Sequence, residues 1–182
     1  VKPPTKIMDG IPDSLEFLNS YVSNINSDQF FLTYNKYQKI NNNWYAGSYF
    51  RVINNNGQLI KTETEIPNFF GSRINTKQLS GGNILMTSSY QFNDEYSILN
   101  RLINNTDFST IDSFYITHPQ ISSYITGLSI TKDKDNHGIL TWTDGDRKYL
   151  YYALINGNGG VTTNPVIFRS AGVGDEIEIN FS

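Results

Sequence analysis

A chain of 182 residues with 38% hydrophobic side chains, 12 Tyr, 11 Phe and only 17% charged residues has the balance of half-buried strands rather than of solvated helices. Its net charge of −3, with Lys and Arg scattered along the chain, excludes the basic footprint of a nucleic-acid or anionic-membrane binder. The lack of cysteine excludes disulfides, thiol catalysis and cysteine-ligated metals, and no apolar run approaches the roughly 18 residues that a membrane span requires.

Read in order, the chain repeats one strand pattern three times. Residues 1–20 precede the first copy; Val1 to Met8 line up with Val161 to Phe168, so they are expected to hold the last strand of a preceding unit and a linker, with Ser14 to Leu18 as loop or edge. The first unit, residues 21–68, has a strand near Tyr21-Val22-Ser23 and an apolar run Phe31-Leu32-Thr33-Tyr34. A polar loop from Asn35 to Asn43, a long strand through Trp44 and Arg51 to Ile53, an Asn/Gly turn at 54–57 and a last strand closing at Ile66 complete it.

The second unit, residues 69–120, repeats this order with Ile74-Asn75-Thr76, Ile84-Leu85-Met86-Thr87 after Gly81-Gly82, Leu99 to Ile103, a turn at 104–106, and Ile116. The third, residues 121–170, has Leu128-Ser129-Ile130, Ile139-Leu140-Thr141-Trp142 after His137-Gly138, Tyr151 to Ile155, a turn at 156–160, and Phe168. In every copy the closing residue lies 13 positions after the shared Ile, and Ile53, Ile103 and Ile155 are 50 and 52 residues apart. Four short strands recurring at this period predict an all-β protein of three tandem four-stranded antiparallel β-propeller blades. Trp142, with Tyr34 and Thr87 at the equivalent places, is expected between neighbouring blades. Residues 171–182 read as the start of a further blade, which implies an open segment of a larger propeller or of an assembly.

The stretch Tyr45-Ala46-Gly47-Ser48-Tyr49-Phe50-Arg51, with Gly57 after it, resembles the tandem repeats of large bacterial and protist secreted or surface proteins, in which a tyrosine strand ends in Arg-Phe-Asp-x-x-Gly. The third unit has Ala153 in place of the Arg, and the second has Thr106 near the place of the Gly. The resemblance implies a propeller-like fold and an extracellular or cell-surface setting, and it implies no chemistry.

Asp133-Lys134-Asp135-Asn136-His137-Gly138 has oxygens from Asp133 and Asp135 at the first and third positions of a calcium loop, but His137 at the fifth, and an ordinary polar turn is the plainer reading. No other cofactor is expected. The stretch ending in Trp142 also resembles a sialidase Asp-box, which is a structural element. Neither His118 nor His137 sits in a nucleophile elbow or a paired-His metal motif, so a non-catalytic protein is expected.

Spacing from the second strand to the third shrinks from 22 to 19 to 16 residues while the last turn stays alike, which places length variation on one face of the blades. Loops on a rigid scaffold are where binding residues are carried, and this makes Tyr37, Trp44, Tyr90, Phe92, Asp94, Asp144, Asp146 and Arg147 the binding-face candidates. The function expected from the sequence is a structural or adhesive scaffold in a larger surface or filament protein, with protein partners or other copies of itself. A lectin-like module that binds glycans is the alternative, and a carbohydrate-active enzyme is less favoured than either.

Overall fold

The computed structural model describes residues 15–67, 74–92, 95–117, 124–170 and 172. Among these, the runs of Ile, Val, Leu, Tyr, Phe and Thr form strands, and the Asn- and Gly-rich stretches between them form turns. Blade 1 contains β1 (Leu15–Asn24), β2 (Gln29–Ile40), β3 (Asn43–Asn54) and β4 (Leu59–Ile66). Blade 2 contains β5 (Ile74–Gln78), β6 (Ile84–Phe92), β7 (Glu95–Ile103) and β8 (Thr110–Thr117). Blade 3 contains β9 (Ile125–Lys132), β10 (Gly138–Asp144), β11 (Tyr149–Ile155) and β12 (Val161–Ser170). Each blade is an antiparallel meander in which sequence neighbours are also sheet neighbours. No helix among the described residues is long and apolar enough to cross a membrane.

The blades stack face to face. Phe31, Phe50, Val52 and Ile66 of blade 1 pack against Ile74, Ile84, Met86, Leu99 and Ile103 of blade 2. The other face of blade 2, with Leu85, Ile98, Leu102 and Ile116, packs against Leu128, Ile130, Leu140, Trp142 and Tyr151 of blade 3. First strands meet along the stack: β1 lies against β5, and β5 against β9. There the Ser23 and Thr76 hydroxyls bond, and the Asn75 amide donates to the Leu128 carbonyl at 3.1 Å.

Burial along the third strands follows from this stacking. In β7 every residue from Ile98 to Ile103 is buried, because blade 2 has a neighbour on both faces. In β11 buried Tyr151, Ala153 and Ile155 alternate with half-buried Tyr152 and Leu154, because among the described residues another blade covers only one face.

Ladder pairs Phe30↔Ile53, Ile84↔Ile103 and Gly138↔Ile155 give the structural alignment of the copies. Four residues along from each first member stand Tyr34, Ser88 and Trp142, so Ser88, not Thr87, is the counterpart of the two aromatics. Trp142 is fully buried between blades 2 and 3 and stacks on its cross-strand partner Tyr151 with centroids 5.7 Å apart. Tyr34 pairs with Tyr49 in the same way at 6.1 Å.

Three further expectations change. The strand expected from Tyr21 begins at Leu15, within the stretch read as loop or edge. Residues 35–43 are no loop, since β2 runs to Ile40 and β3 starts at Asn43 across a two-residue turn at Asn41 and Asn42, with φ of 50° and 65°. Two consecutive left-handed residues are what a type I′ hairpin turn needs, and Asn tolerates them. The shrinking spacing is therefore a shortening of hairpin arms. The last turns also differ: blade 2 has a longer one, in which Phe108 adopts φ 62° and tucks into the blade 1–blade 2 core, 5.9 Å from the Phe31 ring. The further strands expected at residues 1–8 and 176–182 lie outside the described residues.

A candidate binding face at the hairpin tips

The tips of the β2–β3, β6–β7 and β10–β11 hairpins emerge at the same end of the three blades, because the meanders share one direction. In blade 1 the hairpin arms carry polar residues and exposed tyrosines, with Tyr37 38% and Tyr45 53% accessible. Trp44 pairs with Lys39 on the ladder, and Phe92 pairs with Glu95 at the end of the second hairpin. The side chains of Trp44 and Phe92, and the whole of Asp94, lie outside the described residues.

Tyr90 lies where the aliphatic core of blade 2 gives way to polar residues. It packs against the blade 1–blade 2 cluster with its ring 5.4 Å from that of Tyr115, the planes inclined at 54°. The two rings, with Glu95, Tyr96, Ser97 and Thr117, line an open cavity of about 430 Å³. Ladder pairs Tyr90↔Ser97, Leu99↔Tyr115 and Ser97↔Thr117 bring the side chains of Tyr90, Ser97, Tyr115 and Thr117 onto one face from three strands. Of this group the sequence reading singled out only Tyr90. The register that brings Tyr115 beside it is a long-range pairing with no local mark.

Asp144 is buried at the start of the third tip, where its carboxylate accepts the backbone N–H groups of Lys148 at 2.8 Å and Tyr149 at 3.1 Å. It shapes the turn, in which Arg147 takes φ 54°. Asp146 and Arg147 are exposed there and, with Tyr124, Gly145 and Lys148, line a second and more polar cavity of about 520 Å³.

At the opposite end, Asp133, Asp135 and His137 bring one ligand atom each to within 4.8 Å of one another. One oxygen of Asp133 accepts the N–H groups of Asp135 and His137, both at 2.8 Å, and the other meets the His137 ring nitrogen at 3.0 Å. The His137 amide, aided by that of Asp135 and by the ring, holds the Asp133 carboxyl below its ordinary range. These bonds are those of a tight turn whose side chain closes on its own backbone.

A charged network covers the face of blade 1 turned away from blade 2. Glu63 accepts hydrogen bonds from the Tyr34 hydroxyl and the Lys36 ammonium, each at 2.5 Å, and Arg51 stands 3.5 Å away. Burial alone would raise the Glu63 pKa, but the bonds from Lys36 and Tyr34 and the charges of Lys36 and Arg51 bring it below the ordinary value. The same burial and the neighbouring carboxylate push the Tyr34 phenol far up.

Blade 3 ends in a face of another kind. Ile139, Thr141, Leu150, Tyr152, Leu154 and Phe168 line an apolar hollow of about 330 Å³, with Tyr152 and Phe168 edge to face at 6.3 Å. Ile66 and Ile116, which close the last strands of blades 1 and 2, are each 4% exposed under the next blade, whereas Phe168 is 72% exposed. Compared with family models, with curated proteins and with solved structures, the chain matches none of them.

Proposed function

We propose that this chain is a non-catalytic, extracellular β-propeller segment that serves as a structural or adhesive scaffold in a larger surface or filament protein, as its resemblance to surface-protein repeats implies. The observation that carries the reading is the uncovered apolar face of blade 3. Its counterparts on blades 1 and 2 are buried by the next blade, so the same side chains on blade 3 are suited to receive one more sheet. Apolar area of this kind, continuous across two strands and an edge, marks a protein contact. Other copies of this chain are the partners of choice.

Sedimentation velocity over a range of protein concentrations tests this. Self-association is expected for the wild type, and Phe168→Asp should abolish it without lowering the melting temperature, since Phe168 supports little of the core. A monomer at every concentration would speak against the scaffold reading. A lectin-like module is the alternative, and the tyrosine-lined cavity on blade 2 favours it.

A further inference from the structure

We infer that the cavity between Tyr90 and Tyr115 binds a neutral sugar, a hexose or N-acetylhexosamine unit of a glycan. This deepens the lectin-like alternative and rests on it, independently of the stacking of blade 3.

Shape and chemistry agree. Tyr115 is 54% exposed on the outer strand, so one face of its ring is open to a ligand. Tyr90 is half-buried against the core and fixed there, and its inclination of 54° to Tyr115 makes a V-shaped platform in which one wall is anchored. The C–H face of a pyranose is apolar and slightly positive, and it suits the negative face of a phenol ring. Its equatorial hydroxyls need acceptors and donors at the rim, and the Glu95 carboxylate with the Ser97 and Thr117 hydroxyls supplies both.

Charge narrows the class. Among the described residues Glu95 is the only charged side chain lining the cavity, which disfavours sialic or uronic acids and phosphates and leaves neutral sugars. The second tip cavity, with Arg147 and Lys148 beside Tyr124, has the opposite balance and is not part of the inference. The site is specific to blade 2: the ladder counterparts of Tyr90 are Lys36 in blade 1 and Asp144 in blade 3, neither of which offers a ring. A volume of about 430 Å³ lies within the usual range for small-ligand clefts.

Saturation-transfer NMR with lactose, cellobiose and N,N′-diacetylchitobiose as probes tests the inference, followed by titration of whichever binds. Transfer to at least one probe is expected, concentrated on the ring protons of one sugar. Tyr115→Ala should weaken that binding about tenfold, and Glu95→Gln should weaken it several-fold. Phe168→Asp should bind the sugar as the wild type does, so loss of self-association and loss of sugar binding are read separately. No transfer from any of the three probes would overturn the inference. So would wild-type affinity in both Tyr115→Ala and Glu95→Gln.

Discussion

Glu63 shows how single residues of this fold are tuned by what packs around them. Its carboxylate holds Tyr34, Lys36 and Arg51 together on the outer face of blade 1. Because its pKa is lower in the folded chain than in the unfolded one, it contributes stability that is complete above the unfolded value of about 4.5. That stability is lost as pH falls through the folded value. Melting curves between about pH 6 and pH 3 should therefore show a steeper acid decline for the wild type than for Glu63→Gln. Equal slopes would mean that the network adds nothing. At this scale the sequence was partly legible. Trp142 announces itself as core through its apolar strand, and it is fully buried. Ser88, its counterpart in blade 2, has no bulk to mark it, and a one-residue error in alignment put Thr87 there instead. The neighbours of Glu63 come from two other strands, and no local pattern records their meeting.

At the scale of elements, the turns decide how closely blades approach. The β5–β6 turn of blade 2 touches the β11–β12 turn of blade 3, where the Gly81 amide donates to the Gly157 carbonyl at 3.2 Å. A Cβ at Gly81 would stand 2.6 Å from that oxygen, and the obstacle is backbone, which cannot swing away. Gly81→Ala is expected to destabilise the protein by about 1–3 kcal/mol, as overpacking does, measurable by urea unfolding. A change below a few tenths would show that the two turns part easily. Strand order was legible from the threefold pattern, because apolar runs bounded by turn residues carry a local signal. The hairpin arms of blade 1 were not. Residues 35–43 are polar apart from Tyr37 and Ile40, so the apolar alternation that marks a strand is missing although the ladder pairs persist to Ile40↔Asn43. Phe108 was also missed, an apolar side chain in a polar turn that plugs the core across a blade boundary.

For the whole molecule, the decisive feature is the contrast between the buried faces that join the blades and the one left open on blade 3. The repeat made three blades legible from the sequence. The contrast needed coordinates, since Ile66, Ile116 and Phe168 look alike as text and differ only in what covers them. The register shift between Leu150 and Tyr151 on the β11–β12 ladder accompanies the exposure of Phe168, and such irregularities leave no trace in composition. Amide hydrogen exchange at low and high protein concentration tests the stacking account most directly, because it locates the contact as well as detecting it. The account predicts that protection rises with concentration in β11 and β12, and that Phe168→Asp removes the rise there. Unchanged exchange in β11 and β12 at every concentration would contradict it.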